Sequence, residues 1–226
     1  MEQLLANLKI TVNKNLYLID PTSSKLGNNI VVHSVNIIDQ LGFEKFTFKK
    51  LGNEIESPEA SIYRYFKNKN QLLSYLVSWY WGWMEYQLVF GITNLTSPEL
   101  KIKKAIELIT SNKNNKISIA GITINKLIRI VISESSKSYL TKDVTKANKQ
   151  GAFQSYKKFV SRLAEIIMEI NPAYKYPNML LSTIIEGAHL QVFFAEHLPS
   201  LTNIQKDKDY ICQFYSNLVL QAIKNK

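Results

Sequence analysis

Apolar residues along most of the chain recur at intervals of three and four, the spacing that places them on one face of an α-helix. Short polar turns separate the segments that show this spacing. The pattern predicts an all-α fold in which each helix buries one side. The predicted helices cover residues 27–41, 70–90, 98–110, 153–170, 178–197 and 206–224.

Two stretches fit the helical spacing less well. Residues 9–19 alternate between apolar and polar, and Asn13-Lys14-Asn15 in their middle are turn-forming residues. This stretch predicts a short hairpin, which serves either as a packing arm or as an arm that enters a DNA groove. Residues 117–132 alternate like strands in part, and both a strand and a buried helix are compatible with them.

Residues 46–73 contain three helix-start signals within a short distance. Thr47 is positioned to cap a helix that runs to about Glu54. Ser57-Pro58-Glu59 provides a capping oxygen, a proline at the first helical position and an acidic residue in the first turn. Asn68 followed by Gln71 is typical of a capping box. Three closely spaced helix starts predict a helix-turn-helix.

At these residues the sequence resembles the TetR (tetracycline repressor) family. The resemblance rests on Phe46-Thr47, Leu51-Gly52, the run Ser61-Ile62-Tyr63-Arg64-Tyr65-Phe66, and Lys69 with Leu72-Leu73. The chain departs from the family pattern in the turn, where Glu56 and Ser57 replace the common Gly and Val and Pro58 replaces a polar residue. The resemblance covers about 50 residues; beyond about residue 90 only length and helical character are similar.

This resemblance implies a cytoplasmic homodimeric regulator that binds an operator in double-stranded DNA and is not an enzyme. It implies three parts: an arm at 1–24, a helix-turn-helix domain at 25–70, and a helical effector-binding and dimerisation domain at 71–226. It also favours a helix over residues 117–132. The implied DNA contacts are Thr47, Lys49, Pro58, Glu59, Ala60, Ser61, Tyr63, Arg64, Tyr65 and Lys69, with Glu59 to Ser61 nearest the base edges.

The last two predicted helices carry an apolar side that a second copy of the chain would bury as a four-helix bundle. An intramolecular core is the alternative for part of this surface. The residues predicted at the dimer interface are Ile184, Ala188, Gln191, Ile211, Tyr215 and Leu218.

Aromatic residues are concentrated between Trp79 and Phe90, on the helix that joins the two predicted domains. Core packing explains most of them, and an apolar effector pocket is the functional alternative. The predicted pocket residues are Trp83, Tyr86, Phe90, Ile128, Phe153, Tyr156 and His189. The resemblance then implies repression relieved by a small apolar or aromatic effector.

Composition and motifs bear on the net charge and on whether the protein is an enzyme. The 226 residues carry a formal net charge of +10, yet residues 1–70 hold 9 Lys/Arg against 7 Asp/Glu, so most of the excess lies outside the helix-turn-helix. A functional basic surface and a lysine-rich coding bias both explain the excess. The single cysteine, Cys212, excludes an intramolecular disulfide, and the sequence shows no signal peptide, metal-ligand cluster, cofactor motif or nucleophile motif. The competing hypothesis is a helical small-molecule-binding or enzymatic bundle that does not bind DNA.

Overall fold

The computed structural model describes residues 10–110, 117–204 and 210–224, and the regular secondary structure of this part of the chain is almost entirely helical. It contains one two-stranded antiparallel sheet, in which β1 (Ser118–Ile119) pairs with β2 (Ile122–Thr123). None of the described helices has the length and apolarity to cross a membrane. The eleven α-helices of the described residues are α1 (Lys25–Leu41), α2 (Phe48–Glu54), α3 (Glu59–Tyr63), α4 (Lys69–Ile92), α5 (Pro98–Thr110), α6 (Ile124–Glu134), α7 (Ser136–Tyr139), α8 (Val144–Lys149), α9 (Gln154–Ile170), α10 (Pro177–His197) and α11 (Tyr210–Lys224).

The chain divides into two compact units. Among the described residues, the first unit takes in 10–82 and 117–155, and the second takes in 83–110, 156–204 and 210–224. Residues 117–155, which lie within the predicted effector-binding and dimerisation domain, cluster with the helix-turn-helix. Helices α4 and α9 each contribute residues to both units.

Helix α1 is at the centre of the first unit. Its Ile30 and Val35 are fully buried, and the helix packs against the 3₁₀ turn Pro21–Ser23, α2, β2 and α6. The Ser24 hydroxyl caps its start by accepting from the Gly27 N–H at 3.0 Å. At its end Gly42 has a φ of 78° and donates its N–H to the Ile38 carbonyl. Gly42 therefore caps the end of α1 in a conformation that favours glycine.

Residues 117–132 combine both conformations that their sequence allows. The first part forms the β1–β2 hairpin, whose two turn residues, Ala120 and Gly121, have φ values of 50° and 81°. Positive φ at both positions is what a type I′ turn requires. Ile119 and Ile122 are buried, and α6 begins directly after the second strand. The predicted helix is thus confirmed only from residue 124 onward.

Residues 10–24 form no strand, so the predicted hairpin in this arm is wrong. The Asn13 side chain accepts from the Asn15 N–H at 2.9 Å and closes a 3₁₀ turn instead. Other polar groups of the arm form hydrogen bonds with residues far away in the sequence. Asn15 donates to the Gln150 carbonyl at 2.8 Å and accepts from Gln71 at 3.3 Å. Alternating apolar residues here mark a segment packed along helices.

The regular secondary structure of the second unit is helical in its described residues. Ile102 and Ile106 of α5, Leu163 of α9, Ile185 of α10 and Val219 of α11 are among its buried apolar residues. Glu85 on α4 is also buried, and the Arg162 guanidinium donates to its carboxylate at 2.7 Å. This ion pair compensates the desolvation of the carboxylate and joins α4 to α9 within the unit.

The turn between α2 and α3 is tight and strained. Ser57 donates its N–H to the Gly52 carbonyl at 2.9 Å, and a Cβ at Gly52 would lie only 2.7 Å from the Ser57 oxygen. Glu56 in this turn has a φ of 51°, a left-handed conformation that L side chains rarely adopt. A glycine would adopt this conformation without a steric cost.

We therefore expect Glu56→Gly to stabilise the protein by roughly 1 kcal/mol, because glycine adopts the left-handed backbone conformation at this position without the steric strain of a Cβ. Asn53→Gly, at an exposed position in the neighbouring α2, is the matched control and should cost a few tenths of a kcal/mol. Urea denaturation followed by circular dichroism measures both changes. Equal destabilisation by the two substitutions would contradict the strain at Glu56.

Candidate nucleic-acid interface

The three helix starts between residues 46 and 73 are present, with one shift. The Thr47 hydroxyl accepts from the Lys50 N–H at 3.2 Å and caps α2 as predicted. Asn68 accepts from the Gln71 N–H at 2.9 Å at the start of α4. The prediction for α3 is off by one residue: Pro58, with a ψ of 139°, occupies the capping position, and no side chain caps the helix. The absence of a side-chain cap leaves N–H groups at the start of α3 without a side-chain acceptor.

The exposed surface of α2 and α3 contains most of the predicted DNA contacts. Glu59 and Ser61 of α3 are half-buried, and the other members of this set are exposed. The exposed predicted contacts are Thr47, Lys49, Pro58, Ala60, Tyr63 and Arg64. They combine two cationic side chains with hydroxyl groups and a small apolar residue, which are the groups that contact phosphates and thymine methyls.

Tyr63 is held in place by its ring, which packs edge-on against Phe48 of α2 at 5.0 Å between centroids. Desolvation and the nearby Glu59 charge raise the pKa of Tyr63, so its hydroxyl stays protonated and can donate a hydrogen bond at neutral pH.

Two other predicted DNA contacts point into the protein. Tyr65 is buried, and its hydroxyl lies 2.8 Å from the Ser24 hydroxyl at the start of α1. The Lys69 ammonium donates to the carbonyls of Phe43, Glu44 and Phe46 at 3.0, 3.1 and 3.4 Å. Both residues therefore use their polar groups in hydrogen bonds that hold the helix-turn-helix together.

The turn between α1 and α2 is also held from α6. The Phe43 N–H donates to the Glu134 carboxylate at 3.2 Å, and the Lys137 ammonium pairs with both Glu134 and Glu44 at 2.8 and 2.7 Å. These charged contacts lower the pKa of Glu44 and raise that of Lys137. Sequence reasoning missed Glu134, because its separation of 91 residues from Phe43 leaves no local signal.

Lys67 is an exposed cation that is not among the predicted DNA contacts. It lies four residues beyond the end of α3, and its backbone N–H donates to the Gln71 side chain at 2.7 Å. Its position between the end of α3 and the cap of α4 was the available signal, since helix ends in this motif approach the DNA backbone.

The structure does not gather the predicted effector-pocket residues into one unit. Ile128 and Phe153 belong to the first unit and the other five to the second. Within the second unit Tyr86 and Phe90 are exposed and stack on each other at 4.7 Å. The remaining three are half-buried or buried: Trp83, Tyr156 and His189.

His189 is the most deeply buried of these residues. Burial lowers its pKa to about 4, so the imidazole is neutral at pH 7. Because only the unfolded chain would gain this proton, the folded state loses stability as the pH falls from about 6.5 towards 4. Among the described residues no three His, Cys, Asp or Glu side chains are grouped to hold a metal ion.

The predicted dimer residues divide between the core of the second unit and its surface. Ile184, Ala188 and Tyr215 are buried within the chain, and the Tyr215 hydroxyl would lie 2.5 Å from a Cβ at Gly187. Their burial leaves them little surface for a partner. Gln191 accepts from the Thr202 hydroxyl at 2.7 Å, and Ile211 is half-buried. Leu218 is 41% exposed.

Comparison with known proteins matches residues 30–76 to the family described as bacterial regulatory proteins, tetR family. No curated protein matches the chain. Among solved structures, the fatty acid degradation regulator FadR from Bacillus halodurans is 18% identical, with a TM-score of 0.58 over 88% of this chain and 98% of its own.

Two further structures share the fold. AibR, solved with isovaleryl coenzyme A and operator DNA, is 14% identical with a TM-score of 0.53, over 85% of this chain and 95% of its own. The superantigen PfiT is 12% identical with a TM-score of 0.57, over 92% of this chain and 100% of its own. At these identities the similarity shows the fold, and a fold hosts more than one function.

The contacts of Lys69 predict a role in stability. Lys69→Met keeps the apolar stem and removes the ammonium from three carbonyls, so we expect the free energy of unfolding to fall by roughly 1–2 kcal/mol. Lys49→Met, at an exposed position on α2, should change it by less than about 0.5 kcal/mol. Chemical denaturation measures both. Unchanged stability of Lys69→Met together with weaker DNA binding would show that the ammonium contacts phosphate instead.

Proposed function

We propose that this chain, whose residues 30–76 match the tetR family of bacterial regulatory proteins, is a non-enzymatic homodimeric repressor released from its operator by a small apolar or aromatic effector. The DNA-binding domain of the family is the part that the family model matches. The observation that supports the proposal most directly is the exposed face of α2 and α3. Lys49, Tyr63 and Arg64 are exposed there.

The proposed DNA contacts separate into two kinds. Lys49, Arg64 and Lys67 are exposed cations around α2 and α3, and we assign them to phosphates. Pro58, Ala60 and the half-buried Ser61 form the start of α3, the end that reads base edges in helix-turn-helix proteins. We now assign Tyr65 and Lys69 to positioning, because their polar groups are engaged inside the first unit.

The effector is proposed to bind in the second unit. Trp83 and Tyr156 are half-buried in this unit, and His189 is buried and neutral. Uncharged side chains with rings are of the kind that an apolar or aromatic molecule contacts. AibR, which shares the fold, was solved with both a small ligand and operator DNA. Helix α4 carries residues of both units, so a ligand that binds one conformation of α4 more tightly would shift the DNA-binding equilibrium.

The homodimer is proposed to form through exposed apolar residues of α10 and α11. Met179 and Leu190 on α10 are 67% and 49% exposed, and Phe214 and Leu218 on α11 are 59% and 41% exposed. Phe214 and Leu218 are one helical turn apart and share a face. A second copy of the chain would bury this face, and a two-fold axis would present two copies of α3 to DNA.

DNA binding is tested with a pool of random duplexes. The parent protein should bind duplex DNA more weakly as salt rises, and sequencing the retained fragments should yield a two-fold symmetric motif. Lys49→Ala and Arg64→Ala should each reduce the slope of log affinity against log salt by about one. Lys103→Ala, an exposed lysine of the second unit, is the control and should leave the slope unchanged. A parent protein with no salt-dependent duplex binding would refute the proposed function.

Dimerisation is tested by Leu218→Glu. The side chain is partly exposed within one chain, so the variant should fold, but a partner subunit would desolvate the new carboxylate at a cost of several kcal/mol. We expect a helical monomer with much weaker operator binding. Leu140→Glu, at a 77% exposed leucine of the first unit, should remain dimeric. Sedimentation and circular dichroism decide the outcome, and a dimeric Leu218→Glu would place the interface elsewhere.

A further inference from the structure

The first unit carries a group of lysines outside the helix-turn-helix. Helix α8 and the residue before its cap contain Lys142, Lys146 and Lys149, and the segment 141–150 has Asp143 as its only acidic residue. All three lysines are exposed, and α8 has no buried residue. Lys146 and Lys149 are three positions apart and share a face.

These three lysines form no ion pair with the described residues, unlike other lysines of the first unit. Lys137 pairs with Glu44 and Glu134, and Lys126 donates to Asn36, so other lysines of the first unit are engaged by its own side chains. Lys142, Lys146 and Lys149 take part in no ion pair among the described residues. Their positive charge is therefore available to an external partner.

A chain of hydrogen bonds fixes where α8 lies relative to the helix-turn-helix. The Lys67 N–H donates to the Gln71 side chain, whose amide donates to the Asn15 carbonyl at 3.3 Å. The Asn15 amide then donates to the Gln150 carbonyl at 2.8 Å, directly after α8. The end of α8 is thus tied to the first turn of α4.

Ile10, at the other end of the arm, shows where along α4 these hydrogen bonds lie. Ile10 packs against Gly82, where a Cβ would lie 2.8 Å from its side chain. Gly82 is about 16 Å along the α4 axis from Gln71, at 1.5 Å per residue. The arm therefore runs along α4. Lys14 and the end of α8 lie near the N-terminal end of α4, which follows α3 in the chain. Lys14 is exposed at this end.

We propose that Lys14, Lys142, Lys146 and Lys149 form a flanking surface that binds the phosphate backbone of duplex DNA outside the half-site contacted by α2 and α3. The inference rests on the proposed DNA-binding function and extends its footprint. The cationic side chains match the charge of the phosphates, and these contacts would be independent of base sequence. Each half-site would then be held by a sequence-reading face and by a purely electrostatic one.

The test uses the operator recovered by selection, as a core duplex and as a duplex extended by about one helical turn on each side. The variant is Lys146→Gln/Lys149→Gln, and the control is Lys103→Gln/Lys175→Gln, which removes the same charge from exposed lysines of the second unit. On the extended duplex the variant should lose at least about tenfold in affinity at 0.1 M salt, and its salt slope should fall by about two. On the core duplex both double variants should bind like the parent.

Two results would overturn the flanking surface. The first is a variant that matches the control on the extended duplex. The second is an equal loss on both duplexes, which would mean that the lysines act at the core site or only through the net charge. Failure of the proposed function looks different, since the parent protein itself would then show no salt-dependent binding. Circular dichroism should show native helicity in the variant, because α8 buries no side chain.

Discussion

The arrangement of the helix-turn-helix depends on the hydrogen bonds that the backbone groups of one turn receive from distant side chains. The turn between α1 and α2 leaves several carbonyls and an N–H without helical partners, and buried groups of this kind need hydrogen bonds. Lys69 from α4 supplies the donor to three carbonyls, and Glu134 from α6 accepts from the Phe43 N–H. The orientation of α2 follows from these contacts, and through α2 so do the positions of Thr47 and Lys49.

Local signals in the sequence predicted the helix-turn-helix well. Caps such as Thr47 and Asn68 act on backbone groups a few residues away, so their effect can be derived from the sequence alone. The boundary of α3 was displaced by one residue because Ser57 was expected to cap it, whereas its N–H bonds back to Gly52. Side-chain direction was less predictable, since Tyr65 and Lys69 look like surface residues of the motif yet bond inward.

Long-range pairing accounts for what the sequence could not predict. The arm at residues 10–24 alternates like a strand, but its polar groups bond to Gln71 and Gln150 rather than to a second strand. The same kind of pairing assigns residues 117–155 to the first unit, where Arg129 binds Asp39 and Lys126 binds Asn36. The hydrogen bonds between the end of α8 and α4 also locate part of the excess positive charge, because they place the lysines of α8 beside the proposed DNA-binding face.

The discontinuity of the first unit has a consequence for how the protein is made. The buried face of α1 is covered in part by β2 and α6, which lie about 90 residues further along the chain. Synthesis proceeds from the N-terminus, so the helix-turn-helix emerges from the ribosome long before its supporting residues do. Contacts this distant in sequence also slow folding, because a long loop must close before they form. The DNA-binding half consequently cannot be transplanted as a contiguous cassette ending near residue 82; a chimera that retains this packing must include residues 117–155.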